Sequence, residues 1–430
     1  MKIVIIGGGA AGFSSAMVAK KAGTAEVLVI ERTDMLGGIA LVAGIGLFGS
    51  GALVGLTEER AFGGASLYDD VFYPIATHKS RDVPGLGTTM LYNVNKLDAM
   101  MQRVLKQNGI EVMLSKRVSD VSMAGQTIKA VILEGGAEVR GDVFIDTTGS
   151  STGIPGCTRF GYGCVGCILR CPTFGDPQGV ADKKVKTITA KNALGTEGQL
   201  GTSVLIPIAS LSRDYQKQLR AQGWVSIPVP LDAVPNQERA LKAGSRGIDT
   251  MNQEMLRQNL LIVDIGGYVK VTANGSALYA SSLRKFPGLE NATIAQPTAG
   301  ARGHLVFGLT IAPRNNALEV TSFDNLFCAG LKAGNTNSLL DAVVSGDLAG
   351  YNAVRKAKGL QCLEIPKNLA AGAFIDYVRR MMNTEEGIRK CPTMENINIL
   401  KSLGVYREKA AILKEVERAG LTGIYSKSTN

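Results

Sequence analysis

Residues able to do chemistry concentrate at three places in this sequence. Gly7, Gly9 and Gly12 follow the apolar run Lys2 to Ile6 and open a helical pattern over Phe13 to Ala22; a second apolar run, Val27 to Ile30, ends in Glu31. Each type has its own reason. Gly7 permits a tight turn off a strand, Gly9 lets a pyrophosphate approach the backbone, and Gly12 lets the helix pack closely on the sheet. The free N–H groups and positive end of that helix then face the phosphates. Glu31, about twenty residues beyond the turn, can accept hydrogen bonds from adenosine ribose hydroxyls and disfavours a 2'-phosphate. The combination implies a dinucleotide site; a glycine-rich turn alone would leave Glu31 unexplained.

The second place is a crowd of cysteines: Cys157, then Cys164, Cys167 and Cys171, the last followed by Pro172. C-x2-C-x3-C-P is the later part of a bacterial ferredoxin run, but Gly161 stands where its first cysteine would be. Three readings stay open: an iron-sulfur or zinc site, redox-active or nucleophilic thiols at Cys164 and Cys167, and buried unreactive cysteines. The third place is Ala301-Arg302-Gly303-His304, one of only two histidine sites in the chain. His304 can serve as proton donor or substrate anchor, with Arg302 or Lys332 stabilising a negative charge, or it can be a satisfied structural histidine.

The elements that must position these groups read as strand, glycine turn, helix, strand, acid over residues 1 to 38. Residues 39 to 66 are rich in glycine and small apolar residues, which lets backbone pass close to a planar ligand. Residues 67 to 93 read as an irregular excursion. A helix is expected over Asn95 to Gln107, ending at Asn108-Gly109, and then short strands at Ile110 to Leu114, Arg117 to Ser122, Thr127 to Leu133 and Glu138 to Ile145. From 151 to 299 the periodicity is mixed, with helices expected near Arg213 to Gln222 and Asp249 to Asn259 and strands near Leu260 to Val263 and Tyr268 to Thr272. Leu326 to Gly330 is another strand-to-glycine turn, and Asn337 to Lys358 a long helix. The expected division is 1–150 and 300–360 for a dinucleotide domain, 151–299 for an inserted α+β cap or substrate domain, and 361–430 for a helical appendage.

Composition limits the alternatives. At 430 residues and 45% hydrophobic, the chain can bury two or three cores. No run of about 18 apolar residues suits a transmembrane helix, and the N-terminus has no cleavage-site pattern, so a cytoplasmic location is the expectation. The seven cysteines are odd in number and four of them crowd within fifteen residues, unlike a secreted disulfide framework. The net charge of +10 suits anionic partners, but its basic residues are dispersed.

Gly7, Gly9, Gly12, Glu31 and Gly37-Gly38, with the strand closing on Thr148-Gly149 and the late turn to Gly330, resemble the FAD-binding domain of the glutathione-reductase-like flavoproteins. Gly37-Gly38 after the acid favours FAD over NAD. Leu326 to Gly330, followed by Asp341 to Gly346 and Ala349-Gly350, is similar to the glucose-inhibited division protein A group. The resemblance implies a Rossmann-like α/β fold and an extended FAD held at Gly7, Gly9, Ala11, Gly12, Glu31, Arg32, Gly38, Val118, Thr148, Gly149, Gly330, Asn337 and Ser338. The flavin would lie near Gly330 and the start of the following helix. Leu331 stands where many superfamily members carry an acid. No second glycine fingerprint follows a strand between 150 and 300, so electrons are expected from a small-molecule substrate, an electron-carrier protein or a transiently bound nicotinamide. Hydride-transferring oxidoreductase is the first functional expectation; flavin-dependent tRNA uridine modification and a thiol-flavin redox sensor are the alternatives. A homo-oligomer is expected.

Overall fold

The computed structural model describes residues 1–23, 26–42, 44–49, 53–84, 87–149, 179–185, 188–189, 202–228, 259–273, 283–293, 296–299, 310–334, 338–385, 387, 394 and 397–427. In chain order the strands are β1 (Lys2–Ile6), β2 (Glu26–Ile30), β3 (Leu47–Gly49), β4 (Ala76–Val83), β5 (Gly87–Tyr92), β6 (Glu111–Met113), β7 (Val118–Ala124), β8 (Thr127–Leu133), β9 (Glu138–Arg140), β10 (Val143–Asp146), β11 (Ile188–Thr189), β12 (Thr202–Pro207), β13 (Trp224–Pro228), β14 (Asn259–Asp264), β15 (Tyr268–Ala273), β16 (Gln296–Ala299), β17 (Thr310–Ile311) and β18 (Leu326–Cys328). The helices are α1 (Ala10–Ala22), α2 (Gly38–Val42), α3 (Leu53–Phe62), α4 (Leu97–Gln107), α5 (Val180–Lys184), α6 (Arg213–Gln222), α7 (Leu339–Ala357), α8 (Ala370–Met381), α9 (Ile397–Ser402) and α10 (Lys409–Arg418).

A five-stranded parallel sheet, ordered β18-β10-β1-β2-β6, carries the dinucleotide motif. Its strands read as unbroken apolar runs because both faces are covered: Ile3, Val4, Ile5, Val27, Val29, Phe144 and Ile145 are all fully or almost fully buried. Helices α1 and α7 lie side by side and approach closely. A Cβ on Gly350 would sit 2.2 Å from the Ser15 carbonyl oxygen, so only glycine fits there. The Ser15 hydroxyl donates to the Gly346 carbonyl across the same contact (2.9 Å).

A second five-stranded sheet, antiparallel and ordered β13-β14-β15-β12-β16, has its own apolar cluster built from Ile206, Leu219, Leu260, Ile262, Val269 and Val271. Its other face turns toward the rest of the chain, where Leu261 and Val263 pack with Val83 and Leu91.

Two sequence expectations change. The stretch expected as irregular, 67 to 93, holds a short π-helical turn (Leu67–Phe72) and the β4-β5 hairpin, which β3 extends to three strands. Polar residues along β4 hid the strand: five of its eight positions are exposed, so no apolar alternation shows. The single strand expected over Glu138 to Ile145 is two. β9 pairs with β8, then Gly141-Asp142 turns the chain so that β10 enters the parallel sheet. The helix expected over Asp249 to Asn259 lies, except for Asn259, outside the described residues; Asn259 itself begins β14.

Candidate FAD site

The site is built from turns at the carboxyl ends of β1, β2, β10 and β18, where open parallel sheets leave a crevice for ligands. Gly7 leaves β1 at φ +112°, a conformation other residues avoid, and donates to the Ile30 carbonyl (2.8 Å). A Cβ on Gly12 would lie 1.9 Å from the Gly7 carbonyl oxygen, so the turn and the first helical turn interlock only through glycine. The Thr147 hydroxyl sits within hydrogen-bonding distance of the Ile6 and Gly7 carbonyls (2.9 and 2.8 Å) and ties β10 to the same turn.

Two features make this turn fit a pyrophosphate. No side chain caps α1 at Gly9 and no acid occupies its first turn, so the positive end of a thirteen-residue helix is left for an anion. Around Gly9, an added Cβ would find nothing nearer than the Gly38 Cα, at 3.9 Å, which leaves room for phosphate oxygens. The Gly37 N–H donates to the Gly8 carbonyl (2.9 Å), folding the Gly37-Gly38 segment onto the phosphate turn.

Glu31 is buried at the tip of β2. One carboxylate oxygen accepts the Gly8 N–H (2.8 Å); the other accepts the Thr33 N–H (2.8 Å) and hydroxyl (3.0 Å). A carboxylate has about four acceptor positions. Three are used within the chain, leaving one for a ribose hydroxyl. Arg32 follows at the half-buried edge, and Val118 is buried at the start of β7.

On the far side, Asp146 ends β10 buried. Its carboxylate accepts from the Thr148 N–H and hydroxyl (3.1 and 2.7 Å) and from the Ala181 N–H (3.0 Å), which fixes the Thr148-Gly149 turn. Gly330, at φ +63°, lies over α1, where its added Cβ would be 2.9 Å from the Ala11 Cβ. Its N–H donates to the Ser345 hydroxyl (2.9 Å), and that hydroxyl donates to the Asp341 carbonyl (2.7 Å). Ser338 caps α7 by accepting the Asp341 N–H (3.1 Å). Gly7, Gly9, Ala11, Gly12, Glu31, Gly38, Thr148, Gly149, Gly330 and Ser338 thus gather at one end of the sheet. Lys332 is fully buried in this turn, and its carbonyl accepts the Ala312 N–H (2.8 Å). Burial pushes the neighbouring Cys328 thiol up to about 12, so it stays protonated.

Asn337, His304, Arg302, Cys157, Cys164, Cys167 and Cys171 lie outside the described residues. Among the described residues no group of histidine, cysteine or acid side chains could hold a metal ion, and no helix is long and apolar enough to cross a membrane. Sequence reasoning passed over Asp146, Thr147 and Ser345, whose job is to hold backbone turns in place. Only the repeated small residues at Ser345-Gly346 and Ala349-Gly350 gave a signal.

Fold and site together define a Rossmann-like FAD-binding domain. Comparison with known proteins agrees. The FAD dependent oxidoreductase family matches residues 2–152, and the family described as Glucose inhibited division protein A matches residues 277–361. GidA of Aquifex aeolicus, in two crystal forms, superposes with TM-scores of 0.61 and 0.59 at 16% and 15% identity. The alignments cover 97% of this chain and 76% and 78% of those chains. At that identity the likeness establishes the fold. The methylenetetrahydrofolate--tRNA-(uracil-5-)-methyltransferase TrmFO of Thermus thermophilus is 34% identical over 98 residues, 22% of this chain; the match spans about a fifth of that relative's length. The chain is an FAD flavoprotein similar to the GidA group.

Proposed function

We propose that this chain is an oxidoreductase that moves a hydride between a small-molecule substrate and bound FAD. The observation that carries this is the pairing of an uncapped α1 and Gly9 cradle with the Glu31 carboxylate, which suits an adenosine diphosphate half. The bound cofactor supplies two-electron chemistry, and the chain's own residues orient and exclude. Glu31 and the α1 N-terminus bind the nucleotide end. The turn from Thr148 to Gly149 and that at Gly330, both pinned by buried side chains, bound the flavin end. On sequence grounds we assign proton donation to His304 and stabilisation of developing negative charge to Arg302. Cys164 and Cys167 are candidate redox thiols.

Anaerobic titration of the flavin absorbance with small reductants, including NADH and NADPH, tests this reading. Bleaching by a small molecule, slowed in His304→Ala and Arg302→Ala, is expected. A flavin that no small molecule reduces would count against it.

Modification of a tRNA uridine is the second reading, favoured by the local likeness to TrmFO and by the +10 charge. It predicts copurifying tRNA whose binding weakens steeply with salt, because phosphate contacts release counterions.

A further inference from the structure

Away from the cofactor turns, on the opposite flank of α7, a knot of acids sits without the partners buried charge requires. Glu59 on α3 and Asp347 on α7 are both fully buried, with their carboxyl groups within hydrogen-bonding reach of each other. Asp347 accepts the Ala65 N–H through one oxygen (2.8 Å). Its other oxygen, both oxygens of Glu59 and the hydroxyl of Tyr425 have no conventional partner among the described residues. Two carboxylates cannot hydrogen-bond each other, since neither donates. One shared proton turns the contact into a hydrogen bond and removes half the charge.

Tyr425 is the lid of this knot and belongs to the C-terminal segment. Its ring packs on Phe62 of α3 and Tyr351 of α7, with centroids 5.6 and 5.4 Å apart. The Gly423 N–H donates to the Ala61 carbonyl (2.7 Å), and Gly63 meets Ser426 so closely that a Cβ there would be 2.6 Å from its hydroxyl oxygen. The charged groups facing the knot come from every packed element. Glu58 lies beside Glu59 on α3, Lys21 of α1 acts on Asp347, Tyr351 and Tyr425 face each other, and Arg407 acts on Glu58. Lys21 is held off by its hydrogen bond to the Ser66 hydroxyl (2.7 Å). Glu58 is occupied elsewhere, accepting the Ala370 and Ala371 N–H groups at the start of α8 (2.7 and 2.9 Å).

We propose that Glu59 and Asp347 share one proton beneath Tyr425 and form a pH-sensitive latch for the C-terminal segment. With the proton in place the site stays dry and the segment remains docked. Loss of the proton to solvent leaves two facing carboxylates in a dry pocket. Hydrating them requires Tyr425 to leave. Burial, then the effect of Asp347, raises Glu59, and burial raises Asp347 although the Ala65 N–H and the contact with Glu59 pull it down, so the docked state holds a proton that the undocked state releases. Stability from this source is complete below the ordinary carboxylate range and is lost as pH rises through the raised value.

Hydrogen exchange of peptides covering 409–427 in the full chain, corrected for the intrinsic pH dependence of exchange, tests the latch. In the wild type, the open population of these peptides should rise about tenfold per pH unit while one proton is linked to opening. Glu59→Gln keeps the shape, removes one charge and lets the amide donate to Asp347, so its peptides should stay protected to higher pH with a shallower pH course. The difference between the two proteins cancels any contribution of Glu58. Equal pH courses in wild type and Glu59→Gln would overturn the proposal. Infrared titration, read as the difference between wild type and Glu59→Gln so that the Glu58 carboxyl cancels, gives a second check. The protonated-carboxyl stretch should fade with the same midpoint as tail release, and a midpoint that does not coincide would also overturn it.

Discussion

The cofactor turns and the acid knot flank the same helix, α7, yet they are built on opposite principles. Around Gly7, Gly12 and Gly330 the site is made of backbone, with side chains such as Thr147, Asp146 and Ser345 serving only to hold backbone in place. Around Glu59 and Asp347 the contact is made of ionisable side chains that backbone satisfies only once. A backbone site keeps its charge pattern at every pH and binds through geometry. A side-chain knot stores its energy in protonation and responds to the solution. Anion binding at the phosphate turn is therefore expected to depend on pH less than docking of the C-terminal end does.

The largest effect expected from breaking the first region is Gly12→Val. With a Cβ already 1.9 Å from the Gly7 oxygen, the turn must open, at a cost at the upper end of the roughly 1–3 kcal/mol typical of overpacking or beyond it. FAD retention after gel filtration should be lost, and thermal unfolding should come earlier.

Glu58 sharpens the other side. Burial holds its carboxyl up at about 7 against the model-peptide value of 4.5, although the Ala370 and Ala371 N–H groups pull it down. Because the folded value is the higher one, its contribution is fully present below pH ~4.5 and is lost as pH climbs through ~7, about 3 kcal/mol across that window. Denaturant unfolding from pH 4.5 to 8 should show this decline, and Glu58→Gln should remove the part of it due to Glu58, leaving that of the Glu59–Asp347 pair.

A smaller, site-specific effect is expected from Glu31→Ala. Charge-assisted hydrogen bonds contribute roughly 1.5–3 kcal/mol, so FAD affinity should fall by about 10-fold to 100-fold in a fluorescence titration. The pH dependence of unfolding should remain that of the wild type. Lys217→Ala, removing an exposed pair with Asp214 on α6, should change the unfolding midpoint by less than the equivalent of ~0.5 kcal/mol and leave both regions untouched.

The sequence revealed the first region far better than the second, for a physical reason. Glycines at fixed offsets from a strand, and an acid at the tip of the next one, are local signals, and they mark Gly7, Gly12 and Glu31 directly. The long α7 helix and the β7-β8-β9 meander were legible in the same way, through periodicity and turn residues. The β4-β5 hairpin was hidden because exposed polar residues fill β4. Nothing local marks Glu59 and Asp347. They lie far apart in the chain and meet only when α3 packs on α7, and Tyr425 joins them from near the end of the sequence. Asp146 and Ser345 are likewise ordinary in sequence and acquire a role only through the turns they pin.

The most direct test of the account is titration of FAD into flavin-stripped protein and its Gly12→Ala variant, with circular dichroism showing whether each retains its fold. We expect the wild type to saturate at one FAD per chain and a folded variant to bind far more weakly. Failure of the wild type to take up FAD, or equal affinity in both proteins, would contradict a cofactor site at this turn.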